Sequence, residues 1–257
     1  LKALQYVKAF NGVVVQVPED KSIGTYGLMN EGIVSTRLGL PGKPVIAEEM
    51  MVARDIELAT YAGSKLHFTG ITSGRSVENI KDAREKGIEV SFSVTPYHLF
   101  FSDEDMVDYD TNLKVNPPLR TPENRAALLE AVKNGIVDCL ATHHFPQDWD
   151  NKTCEFEYAG NGMIGLETAF GVAGAVGIST ERWLELSCIN PRKIFALPAP
   201  VIEEGLAADL SLFNPAVNYT FLEARIQSKS KNSPFIGKEL KGQVIGIING
   251  DKVFLNT

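Results

Sequence analysis

The stretch VDCLATHHFPQ, from Val137 to Gln147, decides the fold of this chain. Its first part, Val137–Ala141, is apolar and short, which predicts a buried strand. His143 and His144 follow in the turn behind that strand. In α/β proteins ligands bind beyond the carboxyl ends of the strands, so polar side chains at such an end indicate a functional site.

Strands and helices alternate around this stretch. Further strands are predicted at Val13–Gln16, Leu66–Thr69 and Ile88–Val94, and helices at Leu1–Phe10, Ala47–Tyr61, Val77–Lys86, Pro122–Asn134, Leu166–Val176 and Thr180–Cys188. Ser76 and Thr121 are the predicted helix N-caps. The alternation indicates right-handed βαβ crossovers and a parallel sheet. A complete (β/α)8 barrel takes about 250 residues, but only four strand–helix units are found, which is half a barrel.

The pattern changes after Pro198. Short strands separated by turn residues are predicted at Asp209–Phe213, Val244–Ile248 and Val253–Leu255, and Asn249-Gly250 favours a type I′ hairpin turn. The fold class is therefore α/β, with a barrel portion in residues 1–198 and a small C-terminal β-domain in residues 199–257.

Composition narrows the class of protein. The 257 residues carry a net charge of −7 and no basic stripe, which argues against a nucleic-acid or anionic-membrane partner. The apolar runs have strand length, so no membrane span is expected. Three scattered cysteines without CxxC spacing indicate reduced thiols, and we expect a cytoplasmic protein. The chain begins inside a helical pattern, so we expect a preceding segment.

Several long strings resemble the type I dihydroorotases of the cyclic amidohydrolase superfamily. They are MNEGIVSTRLGLPG (Met29–Gly42), VNPPLRTPENR (Val115–Arg125), NGMIGLETAFG (Asn161–Gly171) and SKSKNSPFIGKELKG (Ser228–Gly242). The resemblance covers nearly the whole chain. It implies that the four strands are strands five to eight, the second half of a TIM-like (β/α)8 barrel. The first half, with the family's His-x-His-x-Arg motif and bridging metal ligand, would precede this sequence.

The resemblance also implies a zinc site that this chain does not complete. Family members hold one or two Zn²⁺ ions that activate a water for attack on a cyclic amide, and a strand-eight Asp carries the proton. The two ligand histidines of strands five and six correspond here to Val17 and Gly70. The Asp, which in the family both binds metal and acts as the catalytic base, corresponds to His143. Neither Val nor Gly has a lone pair for a metal.

Substrate-binding positions are better retained. The resemblance implies that Asn116 matches the residue that contacts the dihydroorotate ring, and that Gly162 matches a backbone contact to its pyrimidine edge. Gln147 stands at the position of a substrate-contacting His. These positions could preserve a pocket without a reaction.

The leading hypothesis is a dihydroorotase-like protein of pyrimidine biosynthesis without a cofactor, non-catalytic and structural or regulatory. The resemblance implies aspartate carbamoyltransferase as a partner and a homo-oligomeric state. One alternative is an active cyclic amidohydrolase with a rearranged zinc site that uses His143, and Glu19, Asp20 or an upstream group as the proton carrier. A weaker alternative is a protein that binds a pyrimidine precursor through Asn116.

Overall fold

A computed structural model describes residues 1–106, 108–199 and 201–256. Its strands are β1 (Val13–Gln16), β2 (Met29–Asn30), β3 (Gly42–Lys43), β4 (Lys65–Thr69), β5 (Val90–Val94), β6 (Cys139–Leu140), β7 (Asp209–Thr220), β8 (Glu239–Asn249) and β9 (Lys252–Leu255). Its α-helices are α1 (Lys2–Lys8), α2 (Ile33–Leu38), α3 (Ile46–Ala62), α4 (Gly74–Glu85), α5 (Pro96–Phe100), α6 (Pro122–Lys133), α7 (Ala169–Ala175), α8 (Thr180–Leu184) and α9 (Asn190–Ile194).

The main sheet has four parallel strands in the order β1-β4-β5-β6. Strands that follow one another through α3, α4 and α6 lie side by side, as in a barrel, and the predicted parallel half-barrel is confirmed. Apolar residues of these helices share one core with the strands, including Val52, Ile80 and Leu128 beside Phe68 and Phe92. Burying one such side chain contributes about 1.5–3 kcal/mol, so this core holds the strand ends in place.

Strand β1 differs from its prediction as a buried strand. Val15 is 50% exposed, and the flanking residues are only half-buried. Among the described residues, β4 is the one strand that pairs with β1, so its other edge is uncovered. An apolar sequence shows that a strand can be buried, but its burial also requires a neighbour on each side.

The C-terminal residues form the predicted β-unit, a three-stranded antiparallel sheet in the order β7-β8-β9. Helix α7 packs on β8 at close range, where a Cβ on Gly174 would lie 2.2 Å from the carbonyl oxygen of Lys241. The segment between β7 and β8 returns to the barrel portion, because Phe221 and Phe235 are buried in a second core with Tyr97 and Phe101. The division of the chain at residue 198 stays a prediction.

Two local predictions were wrong and one was confirmed. The N-cap of α4 is Ser73, whose Oγ accepts from the amide of Arg75, whereas Ser76 lies inside the helix. The hairpin turn is Gly250–Asp251, because Asn249 still pairs with Lys252 across the β8–β9 ladder. Thr121 caps α6 as predicted, with Pro122 at the first helical position.

Short 3-10 turns lie at Asp103–Met106, Thr111–Leu113 and Glu223–Arg225, and a π-helical turn at Glu185–Ile189 joins α8 to α9. In the part of the chain that the structure describes, no helix is both long and apolar enough to cross a membrane.

Candidate functional site

The candidate site lies where the parallel strands end. Strand β6 ends at Leu140, and His143 follows in a left-handed conformation with φ 42°. Few residues other than Gly adopt this region without a local reason. Here the conformation accompanies a histidine whose side chain lies against the ends of β4 and β5.

Three side chains form a hydrogen-bonded relay across the ends of β5, β4 and β6. Ser93 Oγ donates to Thr69 Oγ1 at 3.0 Å, and Thr69 Oγ1 lies 2.8 Å from Nε2 of His143. The Thr69 hydroxyl has one proton and two lone pairs, so beside Ser93 it can pair with Nε2 of His143 in either tautomer of the neutral imidazole. Burial lowers the pKa of His143, which favours the same neutral form. We call Ser93, Thr69 and His143 the strand-end relay.

The structure brings His143 and Gly70 together. A Cβ built on Gly70 would lie 2.5 Å from Cε1 of His143, and φ of Gly70 is 77°. The imidazole therefore fills the space that a side chain at position 70 would need. Val17, the third predicted metal-ligand position, is 44% exposed beyond β1.

His98 is buried beside this site. Its Nδ1 lies 2.7 Å from Thr95 Oγ1, and its Nε2 lies 3.2 Å from the carbonyl oxygen of Pro117. Burial, with a smaller contribution from nearby His143, lowers the pKa of His98 to about 3. A neutral histidine with both nitrogens engaged supports the packing around it.

A closed set of contacts joins the end of β3 to two loops at the mouth of the site. The Nζ of Lys43 donates to Glu19 Oε1 and, at 2.8 Å, to Asn116 Oδ1. The Nδ2 of Asn116 donates to Glu19 Oε2 at 3.0 Å. Burial alone would raise the pKa of Glu19, but the hydrogen bonds from Lys43 and Asn116 outweigh burial and lower it. We call Glu19, Lys43 and Asn116 the mouth ring.

A buried polar network lies behind the mouth ring. Arg120 is 4% exposed, and its guanidinium donates to Thr72 Oγ1, to Asn30 Oδ1 and to the carbonyl oxygen of Lys43, each at 3.0 Å. Glu48 accepts from the amides of Thr72 and Ser73. Buried charges require such partners, so this network fixes the loop that carries Lys43.

The two remaining predicted substrate residues lie in a second loop cluster. The amide group of Gln147 is engaged locally, since Nε2 donates to the carbonyl oxygen of Asn161 at 2.7 Å and Oε1 accepts from Asn151 at 3.4 Å. Gly162 has φ 119°, and a Cβ there would lie 2.5 Å from the ring of Phe145. Both positions therefore serve loop packing in this structure.

Asn232 holds this second loop cluster to the segment between β7 and β8. Its Nδ2 donates to the carbonyl oxygens of Phe145 and Gly162, both at 3.1 Å, and its Oδ1 accepts from the amide of Gln147 at 3.2 Å. Sequence reasoning did not identify Asn232 as a site residue. Asn232 lies in the string Ser228–Gly242, and its place in that family-like string was the available signal.

His144 faces away from the strand-end relay. Its Nδ1 accepts from the amides of Gly165 at 3.1 Å and Leu166 at 3.4 Å, and a β-bridge pairs it with Met163. The two adjacent histidines therefore have different neighbours. Within residues 1–106, 108–199 and 201–256, no three His, Cys, Asp or Glu side chains are grouped so that they could hold a metal ion.

Comparisons with known proteins agree on one family. The sequence model that describes the amidohydrolase family matches residues 26–253 of this chain. A protein named dihydroorotase from Syntrophus aciditrophicus is 38% identical over 95% of this chain and 58% of its own length. One from Anaeromyxobacter dehalogenans is 40% identical over 98% of this chain and 60% of its own length. The chain thus spans about three fifths of the curated relatives it matches.

Solved structures agree on the fold. The L-hydantoinase (dihydropyrimidinase) of Arthrobacter aurescens superposes with a TM-score of 0.86 at 24% identity, over 98% of this chain and 59% of that protein. The dihydropyrimidinase of Brevibacillus agri gives a TM-score of 0.86 at 23% identity, over 99% of this chain and 59% of that protein. At this identity the likeness establishes the fold, the second half of a TIM-like barrel with a C-terminal β-sheet.

Proposed function

Because the chain belongs to the amidohydrolase family, we propose that it is a dihydroorotase-like protein of pyrimidine biosynthesis that has lost the metal centre and does not catalyse hydrolysis. The curated relatives named dihydroorotase support the first part of this proposal. The second part concerns the ends of the parallel strands, where a hydrolase of this family would hold its metal.

One observation carries the proposal. His143 and Gly70 are two of the positions that correspond to metal-binding or catalytic residues, and the imidazole of His143 fills the space that a side chain at position 70 would need. The Nε2 of His143 is already engaged with Thr69 at 2.8 Å. The strand-end relay thus joins the strand ends by direct hydrogen bonds, where a metal would otherwise join them by coordination.

The side chains of the described residues do not fit a zinc centre. A bound zinc would supply an activated water, and it needs three or four protein ligands from imidazole, thiolate or carboxylate groups. Val17 and Gly70 have no donor atom, and Glu19 is paired with Lys43.

A structural or regulatory role remains for such a protein. We propose aspartate carbamoyltransferase as a partner and a homo-oligomeric, cytoplasmic assembly, on the strength of the family relationship alone. Co-purification of the full-length protein with that enzyme, followed by measurement of the mass of the complex, tests both parts. A full-length protein that elutes alone as a monomer would contradict them.

The test of the missing activity is a turnover measurement. Purified full-length protein is assayed for hydrolysis of dihydroorotate with and without added zinc, and the dihydroorotase of Syntrophus aciditrophicus serves as the control for the assay. We expect no rate above that of buffer. A rate of about 1–10³ s⁻¹, the ordinary range for enzymes, would refute the proposal.

A further inference from the structure

A cavity of about 270 Å³ lies between helices α7 and α8 and the C-terminal sheet. Its lining includes Phe170, Gly174, Thr180, Trp183, Pro215 and Lys241. The strand-end relay and the mouth ring contribute no residue to this described lining, so the cavity is separate from the candidate site. A cavity of about 150 Å³ is enough to hold one benzene molecule. This cavity therefore has room for a larger aromatic ligand.

One wall of the cavity consists of two aromatic rings. The ring centroids of Phe170 and Trp183 lie 5.5 Å apart. Phe170 also packs against Phe213, at 4.7 Å between centroids, and a Cβ on Gly242 would lie 2.8 Å from its ring. The ring of Phe170 is therefore held in place without a ligand. Aromatic rings pack favourably on one another in offset or edge-to-face arrangements, so this wall is suited to a further aromatic ring.

The backbone around the cavity is fixed by close packing. Helix α7 lies so near to β8 that a Cβ on Gly174 would collide with the carbonyl oxygen of Lys241. Strand β7 leaves its register with β8 between Asn214 and Asn218, and Pro215 in this irregular segment forms another part of the wall. Such irregularities bend a strand locally. The Lys241 side chain thus starts from a fixed backbone, as in the preformed sites that bind small molecules.

The charge of the lining favours an anion. Lys241 is the cation that lines the cavity, and within the described residues its ammonium forms no ion pair. An ammonium and a carboxylate form a charge-assisted hydrogen bond, and the hydroxyl of Thr180 can donate a second one. The side chains of Phe170, Trp183 and Pro215 have no acceptor for the N–H groups of a pyrimidine. An apolar aromatic ring therefore fits this lining better than a pyrimidine.

We propose that this cavity binds an aryl carboxylate, a ligand with an apolar aromatic ring and one carboxylate group. The ring lies against Phe170 and Trp183, and the carboxylate binds the ammonium of Lys241. Because helices of the barrel portion and strands of the C-terminal sheet both line the cavity, the ligand contacts both parts of the chain. The inference goes beyond the proposed function and does not depend on it.

The expected affinity is modest. A ligand of about a dozen non-hydrogen atoms that binds with ordinary efficiency has a Kd of about 1 mM. A hydrogen bond to a charged group contributes a factor of about ten or more to binding when it is removed from one partner. The carboxylate should therefore bind about tenfold more tightly than an uncharged analogue with the same ring.

The experiment is a fluorine NMR titration of the full-length protein labelled with 5-fluorotryptophan. The probes are 2-naphthoate and 2-naphthalenemethanol, which has the same ring without the charge. The resonance of Trp183 is the one lost in Trp183→Phe, and Trp149, which is 76% exposed outside the cavity, is the internal reference. Lys241→Met removes the proposed anchor. Lys252→Met is the matched control, because Lys252 is an exposed lysine on β9 of the same sheet and lies outside the cavity.

We expect 2-naphthoate to shift the Trp183 resonance, with saturation in the millimolar range, and to leave Trp149 unchanged. The uncharged alcohol should bind about tenfold more weakly. In Lys241→Met, 2-naphthoate should lose about tenfold in affinity and bind like the alcohol, whereas Lys252→Met should behave like the wild type.

Three results would overturn the proposal. They are a Trp183 resonance that does not move at about 10 mM 2-naphthoate, tenfold above the expected Kd, equal affinity of the wild type for the two probes, and unchanged affinity for 2-naphthoate in Lys241→Met. Binding is read at Trp183 without turnover, so hydrolysis of dihydroorotate by the wild type would refute the proposed function and leave this result intact.

Discussion

The imidazole of His143 occupies the space that any side chain at position 70 would need. Its Cε1 lies 2.5 Å from the place of a Cβ on Gly70, a separation that real Cβ atoms do not show. Gly70 also has φ 77°, where residues with a Cβ are strained. The two positions therefore depend on each other, and His143 stays in the strand-end relay only while residue 70 has no side chain.

This dependence predicts that Gly70→Ala lowers the free energy of unfolding by more than the strain of a positive φ alone would. Gly87 has nearly the same φ, 79°, with nothing within 4 Å of its Cβ position, so Gly87→Ala measures conformational strain alone, about 1–2 kcal/mol. We expect Gly70→Ala to lower the free energy of unfolding by about 1–2 kcal/mol more than Gly87→Ala, within the usual range for residues in contact. Urea denaturation at pH 7.5 measures both.

The double variant Gly70→Ala/His143→Ala checks the cause. Removing the imidazole opens space for the new methyl group, so the two substitutions together should cost less than the sum of their separate costs. Strict additivity, or equal costs for Gly70→Ala and Gly87→Ala, would show that the two residues do not compete for one volume.

Buried histidines predict that the protein loses stability in mild acid. Burial lowers the pKa of His67 to about 4 and of His98 to about 3, and it also lowers that of His143. The unfolded chain binds these protons near pH 6.5, so the free energy of unfolding falls as pH drops below about 6.5. Each histidine contributes at most about 1.4 kcal/mol per pH unit until its folded pKa is reached.

The measurement is urea denaturation between pH 8 and pH 4.5. In His67→Asn the amide can keep the contact that Nδ1 of His67 makes with Ser91 Oγ at 2.8 Å, but it does not titrate. We expect this variant to show a shallower loss of stability between pH 6 and 4.5 than the wild type. A wild-type free energy of unfolding that stays constant over this range would argue against neutral buried histidines.

Ser73 and Ser76 lie one helical turn apart, and replacing each by Ala should have a different effect on stability. Ser73 Oγ caps α4 and donates to Glu49 Oε1 at 2.6 Å, so Ser73→Ala is expected to cost about 1–2 kcal/mol. Ser76 Oγ is buried and has no partner in the described part of the chain. Ser76→Ala should be neutral or slightly stabilising, because it removes an unpaired polar group. Equal losses of melting temperature in the two variants would contradict this assignment.

Asn232, a buried residue between β7 and β8, should be sensitive to substitution. Asn232→Leu removes three hydrogen bonds from a buried position and leaves two carbonyl oxygens unpaired, at an expected cost of about 2–4 kcal/mol. Asn232→Asp keeps an oxygen that accepts from the amide of Gln147, but it replaces the Nδ2 donor by a second oxygen. Its loss of stability should therefore be nearly as large. Thermal unfolding of both variants measures the effect, and a loss confined to Asn232→Leu would show that the donor is unimportant.

The sequence predicted those features that depend on neighbouring residues. The Thr121–Pro122 helix start and the apolar run of β5 are local patterns, and the structure has both. The prediction of Ser76 as the N-cap failed because the helix begins at Gly74, earlier than its apolar pattern indicates. The prediction that β1 is buried was wrong because burial of a strand also depends on a second neighbouring strand.

The contacts of the candidate site required the three-dimensional structure. The mouth ring joins residues 19, 43 and 116, and the strand-end relay joins residue 69 to residue 143. No periodicity links positions so far apart. The family resemblance did indicate where a site would lie. This chain differs from the family's metal-binding and catalytic residues at Val17, Gly70 and His143, and all three positions follow predicted strands.

The most direct test of the central claim is the metal content of the full-length protein, purified without chelator and compared with His143→Ala. The account predicts far less than one zinc per chain in both proteins, because the strand ends are joined by the Ser93–Thr69–His143 hydrogen bonds. Close to one zinc per chain in the wild type, lost in His143→Ala, would make His143 a ligand and contradict the account.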